Sequence, residues 1–527
     1  MNPFPVDVWS VKEYGVEPWQ QQFFLPVTTQ EFKNLTNNVK QIYLDIINDS
    51  PNEVADALWV LYSWGALGIP SLLYAQLVVQ RLEREGLSLS SHPSSVYYQA
   101  LIEGQAIKNL IGKPLPQVAS WKRKTRSQLR ASLENIKYHG LDISYYLNIS
   151  SKSPYLATNY SRRWLEKFSS FATSDNRDIT IIHPAQLMPG KVRHTNSLPA
   201  AKQAVQRLIG ELDQLAKKYE INFKKSPWQD ISAIFIDAIN YSSDYIEQTV
   251  QELSKLKRTT ILASALGNTF KRSLCMAAQR TSFKMVGFSH GDSFGIFKTD
   301  GFSYIEMSMV DTFVVPSQGA VELFSLAAQK FLHPYGKNPE IVANVSNSYA
   351  KVRESNQLTN VSSSIKSVMV LEFPLLANYG PLWAYRLDLT LRIGKLLREH
   401  GVKSILKRHP DRLRESAGVY DAYYDETVVT PFEKVYDEAD AYIFLGLATT
   451  TFGFALLTNK PIIIFENFSL EEVWDSAGEL LRKRCRVVPS WFADDGRFMF
   501  DEKKFIEALR EPPHQPNDEF IERYMLS

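Results

Sequence analysis

From about residue 178 to residue 490 the chain alternates short apolar runs with longer amphipathic stretches, and it runs through this pattern twice. Apolar runs with no polar alternation, separated by helices, signal a parallel sheet covered on both faces. The first pass predicts strands over Ile179 to His183, Ile231 to Asp237, Thr260 to Leu266, Lys284 to His290 and Thr312 to Val315. Helices are predicted over Pro199 to Tyr219, Ser243 to Leu256, Asn268 to Gln279 and Ala320 to Phe331. A polar stretch from Asn344 to Ser364 separates the passes. The second predicts strands over Val368 to Phe373, Ser404 to Arg408, Thr427 to Val429, Ala441 to Gly446, Pro461 to Phe465 and Arg486 to Val488. Its helices are Leu382 to His400, Phe432 to Glu438, Thr451 to Leu457 and Leu470 to Arg484.

The fold class expected is therefore α/β, with two Rossmann-like domains facing an interdomain cleft. Residues 151–355 form the first such domain and residues 356–490 the second. Residues 1–150 are a helical N-terminal region, broken at Pro51, Pro70, Pro93 and Gly112-Lys113-Pro114, and residues 491–527 are a helical tail able to pack back across the junction. Two doubly wound sheets place their strands' carboxyl ends at one crevice, where such folds bind ligands.

At 527 residues, with 44% hydrophobic and 22% charged residues, the chain has the composition of globular protein. A formal charge of +2 provides no global field for holding nucleic acid. Cys275 and Cys485 are too few for a disulfide framework and fit a reducing compartment. The start, MNPFPVDVW, lacks the basic and apolar regions of a signal peptide. Ala57 to Gln80 carries no charge, but Gly65, Gly68 and Pro70 interrupt it, which favours two buried helices meeting at Gly68-Ile69-Pro70 over a membrane span. The basic run Trp121 to Arg126 is a solvated helix face or a contact with a partner or membrane surface.

There is no GxGxxG after a first strand, no GxxxxGK[ST], no HExxH and no GxSxG, so nicotinamide, P-loop and serine-hydrolase chemistry lose their weight. No acidic pair follows a strand to hold a metal on a diphosphate, so no metal and no cofactor is expected. What remains lies at strand ends. Lys407-Arg408-His409-Pro410 puts two cations and an imidazole where a phosphate could sit. Gly446 to Gly453 opens a helix with Thr449, Thr450 and Thr451, either an anion cradle or a cap using one threonine. Glu466 could take a ribose hydroxyl pair. In the first unit, His290 and Asp292 stand in a glycine-containing turn suited to acid/base work, Asp237 ends an expected strand, and His183 could bind acceptor.

The second unit resembles the C-terminal half of GT-B glycosyltransferases. More narrowly, the His-Pro pair after SILKR and the turn ATTTFGFALLTNKPIIIFE resemble bacterial surface-polysaccharide enzymes: capsule Kdo transferases, polysialyltransferases and the glycerophosphotransferases of teichoic acid synthesis. FSHGDSFG, followed by Glu306 and DTFVVPSQGAVELF, is similar to the His-Gly segment of their N-terminal half. The resemblance spans roughly residues 255–470. It implies a glycosyltransferase that takes a nucleotide-sugar donor, with CMP-linked acidic sugars such as CMP-Kdo favoured, and a glycan or lipid-linked glycan acceptor. His409 and Thr449 to Thr451 would hold the donor phosphate, and Asp237 or Asp292 would deprotonate or attack. The setting implied is the cytoplasm, at the inner face of the plasma membrane. A glycerophosphotransferase or nucleotide-sugar epimerase of the same fold, and a non-catalytic nucleotide- or glycan-binding module, are the alternatives.

Overall fold

The computed structural model describes residues 3–93, 95, 98–106, 133, 155–158, 162–172, 179–182, 198–256, 260–290, 294–298, 304–330, 333–344, 347–357, 364–373, 375, 380–410, 413–414, 416–467, 472–512 and 516–527. A short parallel pair, β1 (Phe4–Pro5) and β2 (Leu89–Ser90), ties the start of the chain to the end of its first helical stretch. The first large sheet contains β3 (Tyr155–Ala157), β4 (Ile179–Ile181), β5 (Thr260–Ser264), β6 (Lys284–Phe288), β7 (Thr312–Val315) and β8 (Glu340–Ala343). Its spatial order is β4-β3-β5-β6-β7-β8, with every pair parallel. The second contains β9 (Ser367–Leu371), β10 (Lys403–Lys407), β11 (Glu426–Val428), β12 (Ala441–Phe444), β13 (Ile462–Phe465) and β14 (Arg486–Val488). Here the order is β11-β10-β9-β12-β13-β14, again all parallel. An antiparallel ribbon of β15 (Ser490–Phe492) and β16 (Phe498–Phe500) follows. The molecule is thus α/β with two Rossmann-like units, as the doubled pattern requires.

The central strands explain this outcome. All four residues of β12 and of β13 are buried, so AYIF and IIIF need cover on both faces, which helices on either side provide. Second-sheet order, counted along the chain, is 3-2-1-4-5-6, so the chain reverses direction across the sheet between β9 and β12.

Three expectations are corrected. Residues 231–237 are not a strand: they lie inside one helix, Trp228–Leu253, whose buried residues Ile231, Phe235, Ala238, Ile239, Ser242, Tyr245 and Ile246 recur at helical spacing. The 3.6-residue period over 26 residues overrode the strand-like look of ISAIFID. The polar stretch after Asn344 holds a helix, Asn347–Gln357, anchored by Arg353 to the Leu457 carbonyl and the Asn459 side chain of the second unit. Phe432 to Glu438 forms two 3₁₀ turns rather than a helix.

The apolar segment near Pro70 is a bent pair. Helix Asn52–Val60 leads through a π-turn, Ser63–Gly68, into helix Ile69–Arg84, with 51° between the two arms. The bend falls before Ser63 because Gly65 packs against the Tyr43 ring, whereas Pro70 sits harmlessly in the first turn of its helix. Among the described residues no single helix is long and apolar enough to cross a membrane, and Leu58, Val60, Leu72, Leu73, Leu77 and Val79 are buried in the first core.

The helical N-terminal stretch divides its packing between the two units. Val8, Val11, Trp19, Phe23 and Leu25 belong to the core under the second sheet, whereas Val27 and the helices through Leu101 belong to the core of the first. Asp7 starts this stretch: its buried carboxylate caps Trp9 and Ser10 and also accepts the His92 N–H at 3.0 Å. At the other terminus the tail returns to the first unit, where Ser317 donates to the Tyr524 carbonyl at 2.6 Å and Arg523 pairs with Glu322 at 2.8 Å. A Cβ on Gly319 would fall 1.6 Å from the Arg523 carbonyl oxygen, so glycine is what lets the tail lie this close.

Candidate functional site

Because β9 is flanked by β10 and β12, the segments 407–410 and 446–451 emerge on the same edge of the second sheet, on either side of Glu372 and Phe373. Gly446 packs close to Phe373: a Cβ there would lie 3.2 Å from the ring. The same ring carries the Arg386 guanidinium, 3.8 Å from its centroid, which comes from helix Leu382–Glu399. Burial pushes the Arg386 pKa down to about 9. A cation at the switch point of a Rossmann-type sheet is placed to meet an anionic ligand. Neither Arg386 nor Glu372 stood out in the sequence.

Glu372 is buried and accepts the His409 N–H at 3.1 Å, and its pKa is raised, chiefly by desolvation. His409 is half-buried at the rim. The two cations before it are used differently from what their position at the strand end suggested. Lys407 donates to the Arg408 carbonyl at 2.7 Å, and Arg408 donates to the Leu413 carbonyl at 2.5 Å and the Ser416 hydroxyl at 2.7 Å. They brace the loop that carries His409 instead of standing free in the crevice.

The three threonines also divide their work. Thr449 is the N-cap of helix Thr450–Leu456, its hydroxyl accepting the Phe452 N–H at 3.2 Å, while Thr450 is exposed and Thr451 half-buried. Thr449→Val is therefore expected to lower stability by about 1 kcal/mol, and Thr450→Val to leave the melting temperature unchanged; thermal unfolding of both variants checks this. Glu466 pairs with Arg482 at 3.7 Å with both side chains about half exposed, a surface pair of little energetic weight.

In the first unit, β6 ends at Phe288 and the chain turns through Ser289 to His290, which is exposed and stacks on Trp164 at 5.8 Å. Beneath it lies Glu306, only 2% exposed, whose carboxylate accepts the His290 N–H at 2.8 Å. Burial pushes the Glu306 pKa up to about 7, against the opposing pull of the His290 N–H and the charges of Lys271 and Lys167. Lys271 is itself half-buried, donating to the Ser264 carbonyl at the end of β5, and desolvation lowers its pKa. The two units thus share a device: a buried glutamate holding the backbone N–H of a histidine just beyond a strand's carboxyl end. An acid between the turn FSHGDSFG and DTFVV was the available signal for Glu306, but its burial is not visible in sequence.

The other first-unit candidates do not join this cluster. Asp237 is exposed in the middle of helix Trp228–Leu253 and not at a strand end, which removes the ground for its catalytic role. His183 and Asp292 lie outside the described residues, as does the basic run 121–126.

The two carboxyl edges meet directly. Phe297 forms a β-bridge with Val473, the Lys298 N–H donates to the Glu472 carbonyl at 2.6 Å, and the Trp474 ring N–H donates to the Gly295 carbonyl at 3.1 Å. The turn after β6, which carries His290, is thereby docked on the segment after β13, which carries Glu466. The N-terminal helix Thr29–Asn48 lines the same region: Thr29 donates to the Tyr385 hydroxyl at 3.0 Å, Lys33 pairs with Glu472 at 3.3 Å, and Phe32 packs on Gly380. Among the described residues no group of three or more His, Cys, Asp or Glu side chains could hold a metal ion.

No family model and no curated protein matches the chain. Among solved structures it is similar to a UDP-N-acetylglucosamine 2-epimerase from Rickettsia bellii, with a TM-score of 0.35 and 12% identity, over 71% of this chain and 92% of that one. It is also similar to a UDP-glucosyltransferase from Polygonum tinctorium capable of glucosylating indoxyl, with a TM-score of 0.29 and 9% identity, over 67% of this chain and 81% of the other.

Proposed function

We propose that this protein is a GT-B-like glycosyltransferase that takes a sugar from a nucleotide-activated donor and passes it to a glycan or lipid-linked glycan acceptor, in the cytoplasm. One observation carries this reading: the docking of residues 294–298 on residues 472–475 brings the switch point of the second sheet and the His290–Glu306 pair to one junction. In it, the nucleotide lies across the ends of β9 and β12. The backbone beyond Gly446, Thr450, Thr451 and the buried Arg386 face its phosphate, with His409 at the rim. His290, on the other wall, takes the proton of the acceptor hydroxyl. Catalysis then consists of positioning the two reactants and stabilising the departing phosphate.

A CMP-linked acidic sugar is the favoured donor, since the single phosphate of a CMP leaving group asks for few positive charges, and Lys407 and Arg408 are engaged elsewhere. Isothermal calorimetry with CMP, CDP, UDP and GDP tests the site. One of them should bind in the micromolar range, and His409→Ala should weaken that binding about tenfold, the equivalent of about 1.4 kcal/mol. Binding of none would end the nucleotide reading. Mass spectrometry of products from a panel of donors then identifies the group transferred.

A further inference from the structure

One cavity lies away from the junction. It has a volume of about 500 Å³ and sits at the amino-terminal ends of β13 and β14, on the edge of the second sheet opposite Gly446 and Thr449. Its walls carry Lys460, Arg482, Lys483, Arg484, Arg486 and Lys504, against Glu507 and Glu511 as the lining carboxylates among the described residues. The size is that of a small-molecule site. Three of these cations occupy the last turn of helix Asp475–Arg484, where the helix dipole accounts for them. Lys460, Arg486 and Lys504 come from three other elements, so the dipole does not explain their convergence.

Among the described residues the deepest of these cations, Arg484, has no carboxylate within 4 Å. Arg484, only 6% exposed, donates to the Thr458 carbonyl at 2.7 Å and the Leu456 carbonyl at 3.2 Å, and its Nε has no hydrogen-bond partner. Arg486 donates to the Ala508, Glu511 and Pro512 carbonyls and pairs with the Glu511 carboxylate at 3.5 Å, and Lys460 donates to the Tyr436 and Ala439 carbonyls and pairs with Asp437 at 3.5 Å. The carboxylates that pair with this wall, Glu466 on Arg482, Glu519 on Lys483, Glu507 on Lys504, Glu511 on Arg486 and Asp437 on Lys460, are about half exposed or more, and such pairs exchange readily for a stronger anion.

We propose that this pocket binds a phosphorylated ligand, at a site separate from the nucleotide site at the junction. The guanidinium and ammonium groups converging from four elements match several phosphate oxygens at once. The phosphate could belong to a free metabolite or to a lipid headgroup, and the test separates the two.

Inorganic pyrophosphate is titrated calorimetrically into the full chain, and the chain is co-sedimented with vesicles of phosphatidylglycerol or of phosphatidylcholine. In the expected result pyrophosphate binds, the pair Lys483→Gln and Lys504→Gln weakens it at least tenfold, and His409→Ala at the junction leaves it intact. Glu507→Gln, which removes a negative charge from the wall, should tighten binding severalfold, a gain that misfolding cannot imitate. Sedimentation with phosphatidylglycerol alone, lost in the double variant, assigns the phosphate to a headgroup and equally supports the pocket. The proposal is overturned if neither probe binds, or if binding is indifferent to the double variant. Nucleotide binding at the junction is unaffected by either outcome.

Discussion

His290→Ala is expected to lower turnover about 10²- to 10⁴-fold while leaving nucleotide affinity within about twofold, the signature of a lost acid/base group whose removal spares the donor site. Glu306→Gln should behave differently. The amide keeps an oxygen for the His290 N–H and removes the charge, so turnover at neutral pH should fall less than about tenfold. Any inflection of kcat near pH 7, the region in which burial holds the Glu306 carboxyl, should disappear with it. Glu306→Ala, which leaves that N–H without its acceptor, should be the more damaging. Rate profiles of the three variants over pH 5–9 distinguish these outcomes, and an unaltered profile in Glu306→Gln would show that the buried carboxyl plays no part.

The same carboxyl has a stability consequence whose sign follows from linkage. Its folded pKa, about 7, lies above the ordinary 4.5, so the folded protein holds this proton more tightly than the unfolded chain does. Its contribution to stability is full below about pH 4.5 and declines as pH rises towards 7. At 1.36 kcal/mol per pKa unit the loss is roughly 3 kcal/mol. Denaturant unfolding at pH 5 and pH 8 should therefore show a smaller difference for Glu306→Gln than for the parent chain.

Removing residues 1–26 should unfold the second unit although that unit begins more than three hundred positions later in the chain. Trp19, 2% exposed, stacks on Trp383 at 6.0 Å and meets Phe23 at 5.4 Å, and Val8, Val11 and Leu25 complete the patch. Polar ties join the same surfaces: Gln20 donates to Asp388 at 3.2 Å, and Lys12 to the Arg414 carbonyl at 3.1 Å. At about 1.5–3 kcal/mol for each large apolar side chain, exposing this set costs on the order of 10 kcal/mol, as much as the whole stability of a typical domain. Trp19→Ala alone should cost about 3–5 kcal/mol. Hydrogen exchange of residues 364–512 in the truncated chain reads this directly. Unchanged protection there would mean that the N-terminal segment only rests on the second unit, and adding residues 1–26 as a separate peptide should restore protection if it is part of the core.

The legible parts of this protein are those encoded at short range. AYIF and IIIF carry no polar alternation, so they announced a sheet buried on both faces, and the Pro410 stop and the Thr449 cap mark boundaries that local sterics and one hydrogen bond are enough to set. Periodicity misled at residues 231–237, where a seven-residue window cannot separate two periods that 26 residues separate easily.

By itself, then, the sequence determined two parallel α/β units and the edge on which their strand-end residues emerge, because pattern, propensity and strand direction act within a few residues of one another. Tertiary structure alone decided which charges matter. Glu306, Glu372 and Arg386 look like any other charged residues until packing from distant segments strips away their water, and Lys407 and Arg408 look like ligands until their own loop claims their hydrogen bonds. It likewise placed Trp19 and its neighbours in a core assembled from the other end of the chain, since burial depends on which surfaces meet and not on where they stand in the sequence.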